Sequence, residues 1–309
     1  MGLFFLGCAL LGLGLWLRVM WREAAIRRRF PPVGRIVAVG GRRVHAMTLG
    51  AGPDLVMIHG SSGQLRDLLP LMTRLAGRFR VTAFDRPGLG FSDAIGAEGV
   101  SPAGQARHLA MAAAELGITR PLVLGQSYGG TVALAWGLEV TGAQAARGLV
   151  LISTPSQPWV AKLDWWYQLT ATRLGRALAV PLAAALVTDA YIEKMMPGLF
   201  APSAPPEGYS ARIGAILALP PGALGVNADQ VNGLLPHVLA MQSEYARLTL
   251  PVEMVHGAHD PIVPMELHSG PLAALLPQAR LTVLEDAGHM PHHTHLEAVE
   301  EAVLRAMAA

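Results

Sequence analysis

Leu122-Val123-Leu124-Gly125-Gln126-Ser127-Tyr128-Gly129-Gly130-Thr131-Val132-Ala133-Leu134 sets an apolar run, a glycine-flanked serine and a second apolar run in direct succession. Leu122–Leu124 reads as a short buried strand and Tyr128–Glu139 as a helix, with a sharp turn between them. A serine hydroxyl is a weak nucleophile unless it is exposed and beside a base. A strand-to-helix turn supplies the exposure, and glycines at 125 and 129 let the two segments approach closely. Ser127 is therefore the candidate nucleophile. The plain alternative is a glycine-rich turn with an N-capping serine, and the apolar segments on both sides favour the catalytic reading.

Working outward, the chain alternates strand and helix. Arg35–Val39 and Arg43–Leu49 flank Gly40-Gly41 and predict a β-hairpin. Asp54–Ile58 and Arg80–Phe84 read as strands, with a helix expected over Asp67–Ala76 between them. Ser101 is an expected N-cap for a helix to Leu116, with Pro102 at its first position. Gly148–Ile152 is the next strand. Alternation stops at Thr154-Pro155 and resumes with a strand at Val252–His256, a helix near Met265–Leu276, a strand at Leu281–Leu284 and a closing helix from Leu296. This pattern implies an α/β fold with a mostly parallel central sheet flanked by helices. Residues 156–247, helix-like and proline-rich, form an expected helical cap inserted between the two halves of a core, 36–155 and 248–309. Leu174–Val187 is too short and interrupted for a second membrane span and reads as a cap helix.

A serine nucleophile of this kind needs an acid and then a base later in the chain. Asp260, in Gly257-Ala258-His259-Asp260-Pro261, follows the strand at Val252, and His289, in Glu285-Asp286-Ala287-Gly288-His289, follows the last strand. Both fall at carboxyl ends of strands, the edge where such sheets place ligands. His289 would take the Ser127 proton, and Asp260 would orient the imidazole. Taken singly, Asp260 is a turn former before proline and His289 a loop histidine; taken together, their order and placement agree. The N–H groups of Tyr128 and of Ser61, in His59-Gly60-Ser61-Ser62-Gly63, are candidate oxyanion donors. Asp286 is expected to shape its loop. His289, His292, His293 and His295 straddle a loop and a helix start, which disfavours a metal site; neither metal nor organic cofactor is expected.

These residues resemble the α/β-hydrolase superfamily, in the single-domain hydrolases that share HG-x-x-G, D-R-P-G-x-G-x-S and G-x-S-x-G-G. Here the three read His59 to Gly63, Asp85-Arg86-Pro87-Gly88-Leu89-Gly90-Phe91-Ser92, and Gly125 to Gly130. The likeness runs from about Arg35 to Thr154 and from about Val252 to the end, and it leaves out the cap. It implies the α/β-hydrolase fold and hydrolytic chemistry. Related enzymes that carry aspartate at the elbow open epoxides or displace halide. Ser127 points to acyl transfer to water. The segment Asp85–Ser92 is expected to be a structural loop beside the active-site mouth.

At the other end, Leu3 to Trp21 is apolar or glycine except at Arg18, and its 19 residues reach about 28 Å, close to a bilayer core. Basic residues follow this run, whereas a cleaved signal would carry them before it. Residues 1–21 are thus expected to be a single-pass transmembrane anchor and 22–35 a basic linker, with the catalytic part cytoplasmic. Residues 18–29 hold five arginines against one glutamate, a net +4, so the remainder of a chain of formal charge +2 carries −2. That remainder has no basic signature for nucleic acid. The single cysteine, Cys8, excludes an intramolecular disulfide. Together these features predict a membrane-anchored serine hydrolase acting on a small, lipophilic carboxylic ester. The same triad serves a lactonase, an amidase or peptidase, a carbon–carbon hydrolase or an acyltransferase, and the fold alone would serve a non-catalytic, membrane-tethered binding protein.

Overall fold

A hairpin opens the sheet. In the computed structural model, which describes all 309 residues, β1 (Arg35–Val39) turns into β2 (Arg42–Leu49) through Gly40 (φ 54°) and Gly41 (φ 76°). Positive φ at both central residues gives a two-residue turn whose twist matches the strands. Six strands follow: β3 (Asp54–Ile58), β4 (Arg80–Phe84), β5 (Leu122–Gln126), β6 (Gly148–Ile152), β7 (Val252–Gly257) and β8 (Ala279–Leu284). Their spatial order is β1-β2-β4-β3-β5-β6-β7-β8. β2 is antiparallel to both neighbours, and the other five pairs are parallel.

The helices are α1 (Gly2–Arg29), α2 (Leu69–Leu75), α3 (Pro102–Glu115), α4 (Tyr128–Glu139), α5 (Trp165–Thr170), α6 (Arg173–Leu186), α7 (Asp189–Phe200), α8 (Tyr209–Ile213), α9 (Pro221–Asn232), α10 (Leu234–Gln242), α11 (Ser269–Leu275), α12 (Pro291–Thr294) and α13 (Leu296–Ala308). Side chains on a strand alternate between faces. Val123 and Ile58 accordingly meet Val132 and Trp136 of α4 on one side, while Leu124 and Met57 meet Leu71 of α2 and Val299 of α13 on the other. Every residue of β5 and β6 is buried, as expected of parallel strands covered on both faces. α4 is apolar all round, and Tyr128 through Trp136 are all buried. Ser101 caps α3 by accepting from the Gly104 N–H at 3.3 Å, with Pro102 at its first position.

Four local expectations shift. β5 runs on to Gln126, because Gly125 and Gln126 pair with Leu151 and Ile152 of β6. The helix expected from Asp67 begins instead as a 3-10 turn, Leu65–Leu68, which leads into α2 and buries Asp67. α11 starts at Ser269, after a turn in which the Leu267 and His268 N–H groups bond back to Pro264. Between β6 and β7 the chain is helical, but α10 belongs to the main core: Leu234, Val238 and Met241 pack in the cluster that holds Trp136 and Leu151. Of all the helices, α1 alone is long and apolar enough by itself to cross a membrane. Its second half packs on α6, with Val19 against Ala184 and Ala185.

Candidate active site

Ser127 sits where β5 hands over to α4, with φ 52° and ψ −124°. An L residue held there stores about 1–3 kcal/mol of strain. The turn is clamped from both sides: the Ser127 N–H donates to the Ile152 carbonyl at 2.8 Å, and the Gly130 N–H donates to the Ser127 carbonyl at 2.8 Å. Glycine is required around it. A Cβ on Gly125 would run into the Gly129 and Gly130 backbone, and one on Gly129 into the Ile58 and His59 backbone.

Two loops at the same sheet edge bring in Asp260 and His289. Asp260 follows β7, and the Ile262 and Val263 N–H groups both donate to its Oδ1 at 2.9 Å. Its Oδ2 lies 2.7 Å from His289 Nδ1 and 3.2 Å from His256 Nε2. The His256 Nε2 also faces the Val263 carbonyl at 2.8 Å, which can only accept, so that nitrogen carries the proton. Burial pushes the Asp260 carboxyl up, but hydrogen bonds from His256 and His289, the His289 charge and the Val263 N–H outweigh it and hold it well below the usual carboxylate range. A carboxylate can only accept, so His289 Nδ1 carries a proton, and Nε2 is the ring nitrogen left for other partners.

Ser127 and His289 make no direct hydrogen bond; the ring's bond goes to Asp260. The side chain of the preceding residue bridges the two loops instead, since Gln126 Nε2 donates to the His289 carbonyl at 3.4 Å. Contacts of this kind are often long without substrate. The loop after β3 closes on the elbow from the other side: a Cβ at Gly60 would lie 3.1 Å from Ser127 Cβ. The Tyr128 N–H, in the first turn of α4, has no intrahelical acceptor, and Ser61 follows Gly60 on the facing loop.

The sequence profile of the alpha/beta hydrolase fold matches residues 53–296. The chain belongs to the α/β-hydrolase family. Among its relatives, a 2-hydroxymuconate semialdehyde hydrolase from Pseudomonas putida is 29% identical over 278 residues, which cover 86% of this chain and 91% of that one. A pimeloyl-[acyl-carrier protein] methyl ester esterase from Chromobacterium violaceum is 29% identical over 272 residues, 84% of this chain and 95% of that one. The match to polyketide synthase ThaQ of Burkholderia thailandensis is 31% identical over 92% of this chain, which spans 13% of that much longer protein. An α/β hydrolase fold protein from Burkholderia ambifaria superposes with a TM-score of 0.71 at 27% identity, over 88% of this chain and 97% of that one. A bacterial membrane phospholipase A shares the fold over 100% of both chains, with a TM-score of 0.63 and 20% identity.

Three features of this hydrolase's site go beyond what its motifs specify. Arg86 is fully buried, and its guanidinium donates only to neutral acceptors: the His59 and Gly60 carbonyls at 3.0 Å, Gln105 Oε1 at 3.0 Å and Gln230 Oε1 at 2.7 Å. It also stacks 4.2 Å from the centre of the Tyr128 ring. Burial lowers it to about 10, and the Tyr128 phenol is raised by burial to about 12, so the cation stays charged beside a neutral phenol. Second, α9 grips the same loops: Asn227 Oδ1 accepts from the Ser62 N–H at 2.7 Å, and Gln230 Nε2 donates to the Pro87 carbonyl at 2.9 Å. Third, His256 supports Asp260 from within β7. The Asp85–Ser92 loop is a hydrogen-bonded scaffold, in which Asp85 accepts from the Leu65 and Phe91 N–H groups and pairs with His45 Nδ1 at 2.7 Å.

The histidine run divides three ways. His289 goes to Asp260, and His295 Nε2 to Asp286 at 3.0 Å. His292 and His293 converge on Asp67, with Nε2 atoms 3.4 and 2.9 Å from its carboxylate, which also accepts from the Tyr209 hydroxyl at 2.7 Å. Asp67, His292 and His293 are the one group close enough to share an ion. Their mutual hydrogen bonds already satisfy the carboxylate, and His292 is pulled down by burial, then by the neighbouring His293, to about 4.

Proposed function

We propose that this hydrolase is a membrane-anchored serine esterase that cleaves a lipophilic carboxylic ester through an acyl-enzyme. The observation that carries the reading is the 2.7 Å contact between His289 Nδ1 and the buried Asp260 carboxylate, at the sheet edge where Ser127 sits in its strained turn. In this scheme His289 Nε2 takes the Ser127 proton as Oγ attacks the ester carbonyl. The Ser61 and Tyr128 N–H groups hold the oxyanion. The protonated His289 then gives its proton to the departing alcohol, and water releases the acid by the same steps in reverse. No cofactor or metal is needed for these steps.

Residues 156–247 would form a cap over this edge, on the core halves 36–155 and 248–309. Support comes from α9, whose Asn227 and Gln230 bond to the loops after β3 and β4. Residues 1–21 would cross the bilayer, with residues 22–35 on its cytoplasmic face, following the arginines after the apolar run. The ester preference draws on the serine at the elbow and on the methyl ester esterase among the relatives. Carbon–carbon hydrolysis is the second reading, favoured by the relative that acts on 2-hydroxymuconate semialdehyde.

A fluorophosphonate probe and a p-nitrophenyl ester series of rising chain length test the proposal. Labelling lost in Ser127→Ala, with turnover rising from acetyl to longer acyl chains, is the expected result. No labelling of the native protein overturns the enzyme reading. Labelling without ester turnover, together with cleavage of 2-hydroxymuconate semialdehyde, replaces the ester with the carbon–carbon bond.

A further inference from the structure

α6 presents an apolar face that nothing in the chain covers. After Arg173, its exposed residues are Leu174, Ala177, Leu178, Leu182 and Leu186, with no charged or hydrogen-bonding group among them. The four leucines are 71%, 59%, 47% and 59% exposed, and their spacing of four lines them along one side of the helix. A continuous stripe of this kind on a folded protein marks a surface that meets something apolar.

The end of this helix is fixed to α1. Arg18 Nε donates to the Ala185 carbonyl at 2.9 Å, and Arg22 donates to the Ala184 and Val187 carbonyls at 2.6 Å each. Those residues close the apolar run Leu3–Trp21, at the level where a bilayer gives way to headgroups. The arginines thus satisfy carbonyls that a helix end leaves open, which matters most where water is scarce. Beyond them, Arg27 and Arg29 pair with Glu23 and Asp189, and Arg28 adds a positive charge of the sort that attracts anionic headgroups.

From this geometry we infer that α6 lies in the headgroup–acyl boundary of the bilayer, with its leucine stripe buried in lipid as a second membrane contact beside α1. The inference rests on the reading of α1 as an anchor. A helix of 14 residues, about 21 Å long, with one apolar side suits that boundary and is too short to span. Lipid is favoured over a second copy of the chain because α1 carries this face to the membrane surface unaided.

Nitroxide accessibility tests this in the full chain. In a Cys8→Ser background, Leu178→Cys is spin-labelled in liposomes of phosphatidylcholine and phosphatidylglycerol, and collisions with oxygen and with a water-soluble nickel chelate are compared. Leu10→Cys reports on α1, and Thr119→Cys, at the opposite edge of the sheet, reports on water. Oxygen should dominate at 178 and 10, and nickel at 119. Nickel dominance at 178 with oxygen dominance at 10 overturns the inference and leaves the anchor. Nickel dominance at both overturns both. Spin–spin broadening at 178 that survives dilution into excess lipid assigns the stripe to a second copy and also overturns it. The same measurement in Ser127→Ala reads the membrane contact without turnover, so a failed esterase reading leaves this test unaffected.

Discussion

The Arg86 guanidinium is buried without a carboxylate, an arrangement that costs several kcal/mol in solvation unless its surroundings repay it. Here the repayment is local. Its donors hold the His59 and Gly60 carbonyls, in the loop just before Ser61, and the charge stacks on the Tyr128 ring. If the proposed oxyanion hole forms at the Ser61 and Tyr128 N–H groups, a positive charge in that position would favour the oxyanion over the neutral ester. Arg86→Lys, which keeps the charge but loses the fork, should therefore lower kcat by about tenfold to a hundredfold with KM within about threefold. A raised KM at constant kcat would instead place Arg86 in ground-state binding. Asp260→Asn should cut kcat about ten-thousand-fold, because an amide at this position no longer fixes the His289 tautomer. A circular dichroism spectrum superposable on the native one checks that the loss is chemical. Arg86 falls in a recognisable motif and Asp260 at a readable strand end, yet a motif says nothing of a guanidinium's partners, and His256 belonged to no motif at all. It supports Asp260 only because β7 and the following loop fold back within 3.2 Å.

At the scale of elements, Asp67 ties three segments together. It lies in the 3-10 turn before α2 and receives Tyr209 of α8 and His293 of α12, with His292 further off. α12 begins two residues after His289, so this latch joins the helical excursion to the loop that carries the candidate base. Tyr209→Phe removes one hydroxyl donor and should lower stability by about 1 kcal/mol, read from urea unfolding. Asp67→Ala leaves the buried donors unpaired and should cost about 3 kcal/mol or more. A loss of less than about 1 kcal/mol in Asp67→Ala would show that the latch is dispensable. The periodic elements were legible beforehand, because a strand's alternation and a helix's stripe are local in sequence. The latch was not, since its partners lie 142 and 226 positions from Asp67.

For the molecule as a whole, pH is the simplest probe. Burial, with the nearby Arg86 and His293 respectively, pulls His59 and His292 from 6.5 down to about 4. Between those values the unfolded chain binds protons that the folded chain does not, so stability rises with pH through that window and falls on acidification. Each imidazole contributes on the order of 3 kcal/mol of loss by pH 4. Asp67 and Asp260, held low, add to the loss at still lower pH as their carboxylates protonate. The melting temperature should thus drop steadily from pH 6.5 to 4, and a flat profile would contradict the neutral burial of these histidines. The proposal that α1 is an anchor makes a second whole-molecule prediction: the full chain stays in the membrane pellet after a carbonate wash, and removal of residues 1–29 frees it. Extraction of the full chain by carbonate would argue for a surface attachment.

Some properties are set by near neighbours along the chain, and these were readable from residue order alone. Glycines at 125 and 129 around a serine, between a strand and a helix, decide the elbow. The strand–helix alternation decides the mostly parallel sheet, and an apolar run broken only by Arg18 decides that α1 is long and apolar enough to cross a membrane. Other properties depend on which distant segments come to share space, and no local pattern encodes that. Packing decided that a run of four histidines would part toward Asp260, Asp67 and Asp286, and that α10 would join the core. It also decided that Arg86 would be buried unpaired behind the loop before Ser61, and that α6 would be pinned to α1 with its leucines facing outward. The reason is physical: hydrogen bonding and burial are satisfied by proximity in three dimensions, and proximity across a hundred or more residues is a property of the assembled fold.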